Sequence, residues 1–336
     1  MPRPIEQRDR SGLIRKLFVL VVKLSLGLAI LYWLTASGRF DYKVYGQLVE
    51  KRSGVFILGA VLTQMLAILL PQFRWWLLVR ALNIPLTLID VLKLGFAGSF
   101  ASILVPGMVG YEGVRIWFLR TRHPDKTFIG ISTMVLDRLI GMIALFGLGT
   151  LCGMGLLLMS NSRWTGRLLL VSVPILALLV VILGVFCGFL PQVGMRRWRR
   201  FHWVDEAVGA WGVYQGQRWV LTSSLLLSFG AQISKCISVC FGLLAIGKPL
   251  LILGVFAVTP VVALVRSIPL TPLGLGVSDA AAAELFTLVG MSGGAEVHML
   301  GRGISVLLCL VSGLVFLHRW RPSVSVESSP VETAGK

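Results

Sequence analysis

The chain has 336 residues, 56% of them hydrophobic and only 14% charged, with a mean hydropathy of +0.83 and a formal net charge of +17. So much apolar sequence excludes an ordinary soluble core and points to an all-α, polytopic membrane helix bundle. In such a chain the positive charge reads as cytoplasmic loops facing anionic lipid, and no nucleic-acid partner is expected.

The basic N-terminus, MPRPIEQRDRSGLIRK, leads into an apolar run at 17–36. That run is too long for the apolar core of a signal peptide and many spans follow, so it is expected to persist as a first helix. Six segments are long enough to cross the hydrocarbon, which takes about 20 helical residues. They lie near 13–36, 54–70, 128–159, 167–190, 219–246 and 296–317, the second extending into 73–78 if it needs the length. Between them fall shorter apolar pieces at 91–109, 250–266 and 273–290, each interrupted or ended by Pro and Gly. Lys and Arg concentrate in 1–16, 71–90, 114–127, 191–218 and after 318, which the positive-inside rule assigns to the cytoplasm. If 91–109 crossed fully, the run MRRWRR at 195–200 would face outside. The expected topology is therefore six full spans with both termini cytoplasmic and two opposed re-entrant regions. Eight spans is the alternative, reached if 250–266 and 273–290 both cross. Short, Pro/Gly-broken segments in corresponding places of two halves suggest a transporter-type inverted repeat. The expected domain is 1–321, with 322–336 a polar, disordered cytoplasmic tail.

The chemistry gathers at the breaks. In LVPGMVGYEGVRIWFL, 104–119, Pro106, Gly107 and Gly110 interrupt an apolar segment. Irregular backbone at membrane depth is tolerated only against protein or a water-filled cavity. A helix restarting near Tyr111 would present free N–H groups to an anion. Glu112 and Arg115, three apart, share one face of that helix and can pair. A tight interfacial loop with a solvated ion pair fits the same residues. VLDRLIGM, 135–142, sets Asp137 and Arg138 about ten residues into the third span. Adjacent helical residues point about 100° apart, so each needs a partner on another helix, or Arg138 reaches the headgroups. Intramembrane charges of this kind mark pathways or interhelical ion pairs.

The mirror region is RSIPLTPLGLGVSDAAAAELFTLVG, 266–290, broken at Pro269, Pro272, Gly274 and Gly276. Ser278 or Asp279 can cap the alanine-rich helix that follows, Asp279 as a plain cap or as a cavity carboxylate that also caps. Glu284 lies inside that helix with no capping role. Arg302, in GRGISVLLCLVSG, is the candidate counter-charge. No HExxH, GxSxG, Walker A or paired-aspartate sugar-nucleotide motif is present, and His123, His202, His298 and His318 are scattered. The five cysteines lie in apolar stretches, so no metal and no cofactor is expected.

Four motifs in order, VPGMVGYEGVR at 105–115, VLDRLIG at 135–141, PLTPLGLG at 269–276 followed by Asp279, and RGISVL at 302–307, resemble the lysylphosphatidylglycerol synthase transmembrane region family. The likeness runs from about Phe73 to Leu317. This chain departs at Tyr111 and Leu273, where the family often has glycine, and at Asp279, where it commonly has Glu. Family members that aminoacylate lipid carry a soluble domain after the membrane part, which these 336 residues lack, so the resemblance implies a stand-alone flippase-like module and not the synthase activity. It implies a bacterial inner-membrane protein in which Arg115, Arg138 and Arg302 hold an anionic phospholipid or polyprenyl-linked glycolipid headgroup. Glu112, Asp137, Asp279 and Glu284 would balance that charge and relay protons. An accessory subunit working with envelope biosynthesis enzymes, or an intramembrane lipid-modifying enzyme, is the competing expectation.

Overall fold

The computed structural model describes residues 7–46, 48, 53–104, 108–159, 163–187, 213–268 and 270–319. Pro106, Gly107, Pro269, the run at 195–200 and the tail at 322–336 lie outside them. Every regular element among the described residues is helical. Six helices among the described residues are 24 to 33 residues long: α1 (Gln7–Ala36), α2 (Gly54–Ala81), α5 (Thr127–Met159), α6 (Arg163–Phe186), α7 (Arg218–Ala245) and α10 (Gly294–Arg319). The shorter pieces are α3 (Leu88–Leu104), α4 (Met108–Arg122), α8 (Ile252–Ser267) and α9 (Val277–Leu288). By length and composition, four stretches among the described residues could each cross a bilayer: Gly54–Ala81, Pro124–Met159, Arg218–Ala245 and Gly294–Ser312. Their outer faces present Leu58, Leu151, Leu226 and Leu307, as hydrocarbon requires.

The second span is longer than 54–70. It continues as one helix through Pro71 to Ala81 and so draws Gln72 and Arg74 into the bundle. A proline forfeits one backbone bond inside a helix, but neighbouring helices make that tolerable at membrane depth.

α2 and α7 form the central pair and run antiparallel. Ser238 Oγ donates to Ala60 O at 2.9 Å near one end, and Tyr214 Oη donates to Leu78 O at 2.8 Å near the other. Small residues permit the approach, since a Cβ on Gly59 would lie 3.1 Å from the Phe241 ring. Each member of this pair is followed by a helical hairpin and then by a long helix: α3–α4 and α5 after α2, α8–α9 and α10 after α7. Because α2 and α7 are antiparallel, the two hairpins start from opposite ends of the bundle. In the first, a Cβ on Gly110 would lie 2.7 Å from Ala101 O, so the returning arm presses its backbone on the outgoing one. Each half has its own core, with Trp75, Leu94, Leu119 and Met134 in the first and Leu243, Val258, Phe286 and Val297 in the second.

The turn of the second hairpin is held in an unusual conformation. Leu273, Gly274 and Gly276 all have positive φ, at 55°, 71° and 79°. Gly276 also abuts α1, where a Cβ would meet Gly27 O at 2.5 Å. Leu273 is thus a bulky residue in the left-handed region, which costs an L-residue about 1–2 kcal/mol. The penalty gives a comparison free of side-chain packing. Leu273→Gly is expected to be more stable than Leu273→Ala by about 1 kcal/mol, the reverse of the order in a helix interior, as read by thermal unfolding in detergent.

Candidate functional site

Hydrocarbon offers no solvent to a charge, so each ionised group in the bundle has to find protein or an enclosed cavity. Asp137 and Arg138, at successive positions of α5, do so in different directions. Asp137 Oδ1 accepts from Arg74 Nε of α2 at 2.6 Å, and Arg74 Nη1 donates to Ser228 Oγ of α7 at 2.7 Å. Arg138 instead donates Nε and Nη2 to Glu112 Oε1 of α4, at 2.9 and 2.5 Å. Each therefore has its partner on another helix, as their adjacent positions demand.

Arg115 faces Glu112 at ion-pair distance, as their i, i+3 spacing allows. Its Nη1 lies 3.9 Å from Glu112 Oε2, and neither atom has a hydrogen bond among the described residues. Its guanidinium is sandwiched 4.0 Å from the Trp75 ring and 4.4 Å from the Tyr111 ring, a cation–π arrangement. Nη2 donates to Gln72 Oε1 and Tyr111 Oη at 2.9 and 2.5 Å. At 1% exposure, Arg115 orders the first hairpin against α2 and holds Tyr111 in place. The Tyr111 departure from the family's glycine thus becomes one face of an arginine clamp.

The second hairpin carries an equivalent pair. Arg302 of α10 donates Nη1 and Nη2 to the two Asp279 oxygens, each at 2.8 Å, and Nη2 also donates to Ser278 Oγ at 2.8 Å. Asp279 is not the N-cap. From the third helical position it accepts the Gly276 backbone N–H at 2.9 Å, closing the helix start from within. It is wholly buried and is absent from the cavity lining described below, so it latches the hairpin to α10. Glu284 stands apart from the others. It is exposed and pairs with Arg39, which follows α1. Nearby, Tyr45 Oη donates to Glu296 O at 2.8 Å, and burial, with the Glu296 charge beside it, raises the phenol pKa.

Between the turn of the second hairpin and the arms of the first lies a cavity of about 290 Å³. Arg74, Asp137, Arg138, Tyr111, Arg266 and Thr271 are among its lining residues, with Pro71, Leu273 and Gly274 also on the wall. Three guanidiniums thus face it against one carboxylate. The Arg138 side chain is 39% exposed and its Nη1 takes no part in the Glu112 pair. Arg266, packed across Gly274 with Cγ 2.9 Å from where a Cβ would sit, has no hydrogen bond or ion pair among the described residues. The geometry brings together Glu112, Arg115, Asp137 and Arg138 and adds Arg74, Gln72, Tyr111 and Arg266. Among the described residues, no three His, Cys, Asp or Glu side chains cluster as for a metal.

The model of the family described as lysylphosphatidylglycerol synthase TM region matches residues 20–313. The match covers most of the chain, and the chain belongs to that family, as a multi-pass membrane protein. A comparison with curated proteins finds no match.

The Arg74–Asp137 pair predicts a non-additive outcome. Asp137→Ala leaves a buried guanidinium uncompensated and is expected to cost about 3–5 kcal/mol. The double variant Arg74→Met with Asp137→Leu removes both charges and is expected to recover most of that loss, measured by unfolding in detergent.

Proposed function

We propose that this member of the lysylphosphatidylglycerol synthase TM region family translocates lipid headgroups, passing an anionic phospholipid or polyprenyl-linked glycolipid head through the arginine-lined cavity. One observation carries the proposal: Arg74, Arg138 and Arg266 line one cavity, and while Asp137 and Glu112 balance the first two, Arg266 has no ion pair among the described residues. An unmatched guanidinium at membrane depth is costly unless an anion or water meets it. A phosphate or carboxylate headgroup is the anion that a membrane supplies, and guanidinium is the group best shaped to bind it.

The architecture supports movement as well as binding. Two hairpins from opposite ends of the bundle, with the charged cavity between them, follow the plan of inverted-repeat transporters. With both termini cytoplasmic in a bacterial inner membrane, the Arg74 end of α2 faces the cytoplasm and the cavity draws from the inner leaflet. The sequence carries no nucleotide-binding motif, and the proposed transport is passive or ion-coupled.

Reconstituted protein in vesicles containing a headgroup-labelled anionic phospholipid tests this. Wild type is expected to move label between leaflets, with Arg138→Gln and Arg266→Gln at least tenfold slower and Arg39→Gln, remote from the cavity, unchanged. Background rates for all four proteins across phospholipid and polyprenyl-linked probes, with and without a pH gradient, would overturn translocation and turn attention to an accessory role in envelope lipid or glycan synthesis.

A further inference from the structure

A second, apolar space lies along the same helices as the cavity. A groove of about 370 Å³ runs over α5 and α8, which lie side by side, with α6 and α9 on its two flanks. Its floor is low because its residues are small: Gly149 and Gly153 on α5, Ala257 and Pro260 on α8. A Cβ on Gly149 would already reach 3.4 Å from Pro260, and one on Gly153 would reach 3.3 Å from Leu169. Trp164 and Ile175 of α6 and Leu285 and Leu288 of α9 stand at the sides. The polar group of Ser172 is taken up by Thr150, whose Oγ1 donates to it at 3.0 Å. The lining is almost wholly apolar, so a hydrocarbon chain is the occupant that gains most by entering.

Helical register ties the groove to the cavity. On α5, Arg138 lines the cavity, while Leu145, Gly149, Gly153 and Leu156 line the groove, at steps of seven, four, four and three that keep one face. On α8, Pro260 and Leu264 line the groove while Ser267 lines the cavity, again at steps of four and three. α5 and α8 run antiparallel, since Gly149 faces Pro260 and Gly155 faces Leu253. The same pair of helices thus presents guanidinium at one level and pure hydrocarbon surface beyond it. From Leu145 to Leu156 the groove extends about 16 Å at about 1.5 Å per residue, close to half of the roughly 30 Å hydrocarbon thickness.

We propose that this groove seats one acyl chain of the lipid whose headgroup occupies the cavity, so that the protein binds the lipid as an amphiphile and the second chain remains in the bilayer. The inference rests on the headgroup reading of the cavity. It makes chain length and shape part of recognition, with a chain longer than one leaflet's depth running out past Trp164.

Photocrosslinking at equilibrium separates seating from transport. The full chain is reconstituted in phosphatidylcholine vesicles holding a trace of phosphatidylglycerol with a diazirine at the end of one acyl chain, and adducts are mapped by peptide mass spectrometry. Adducts are expected on groove residues such as Leu156, Trp164 and Leu288, competed by excess phosphatidylglycerol and not by phosphatidylcholine. They are expected to fall at least fivefold in Arg138→Gln and in Gly153→Leu, while adducts on outward-facing Leu151 and Leu158 persist. Adducts confined to those outward leucines, or groove adducts equally competed by phosphatidylcholine and unchanged in Arg138→Gln, would overturn the proposal. The wild-type map decides by itself if Gly153→Leu does not fold. Competed, Arg138-dependent adducts without headgroup movement would uphold the seat and sink translocation. Movement without groove adducts would do the opposite.

Discussion

The structure depends on a buried charge being matched from another helix. Twice, a carboxylate near the start of a hairpin's returning arm meets an arginine on the long helix that follows: Glu112 with Arg138, and Asp279 with Arg302. Leaving either charge alone at membrane depth would cost about 2.5–3.5 kcal/mol on insertion scales. A hairpin that lacks a full span's worth of apolar contact is thereby pinned at a fixed height. Everything else at the site follows from where these two pins hold the turns.

The pins are alike in order and different in burial. Asp279 and Arg302 are shut away, and the acid also bonds the Gly276 N–H. Arg138 is partly exposed on the cavity. A pair shut away from the cavity contributes rigidity; a pair with a free Nη group facing it retains capacity for a ligand. The second half therefore supplies a stiff turn, with Arg266 packed across Gly274, against which the first half presents its partly open arginine.

The long periodic elements were legible in the sequence because bilayer thickness is a blunt constraint. The expected segments 128–159 and 219–246 compare with helices at Thr127–Met159 and Arg218–Ala245. The demand that Asp137 and Arg138 find separate partners was also legible, since it needs only helical geometry. Arg74 was not. Pro71 followed by Gln72 and Arg74 looks like a helix end at the cytoplasmic surface, and only the tertiary presence of Asp137 and Ser228 lets that stretch stay inside. Glu112 and Arg115, i, i+3 neighbours on one helix face, lie within ion-pair distance at 3.9 Å, as their spacing allows. The sandwich of Arg115 between the Trp75 and Tyr111 rings is the contact for which the sequence showed no spacing signal. Glu284 was chosen because it had no local role, and its partner, Arg39, lies 245 positions away.

Leu273 shows how local and global demands are balanced. A leucine at φ 55° is locally unfavourable, yet its place on the cavity wall gives it surroundings that glycine could not use. Strain of this kind persists where the surrounding structure over-determines the backbone. Here that determination comes from both sides of the turn: the Arg302–Asp279–Gly276 chain of bonds beyond it, and Arg266 packed across Gly274 before it. The same turn borders the arginine-lined cavity, so the rigidity that tolerates the strain also fixes the distance between the two hairpins. That distance sets what the cavity can enclose.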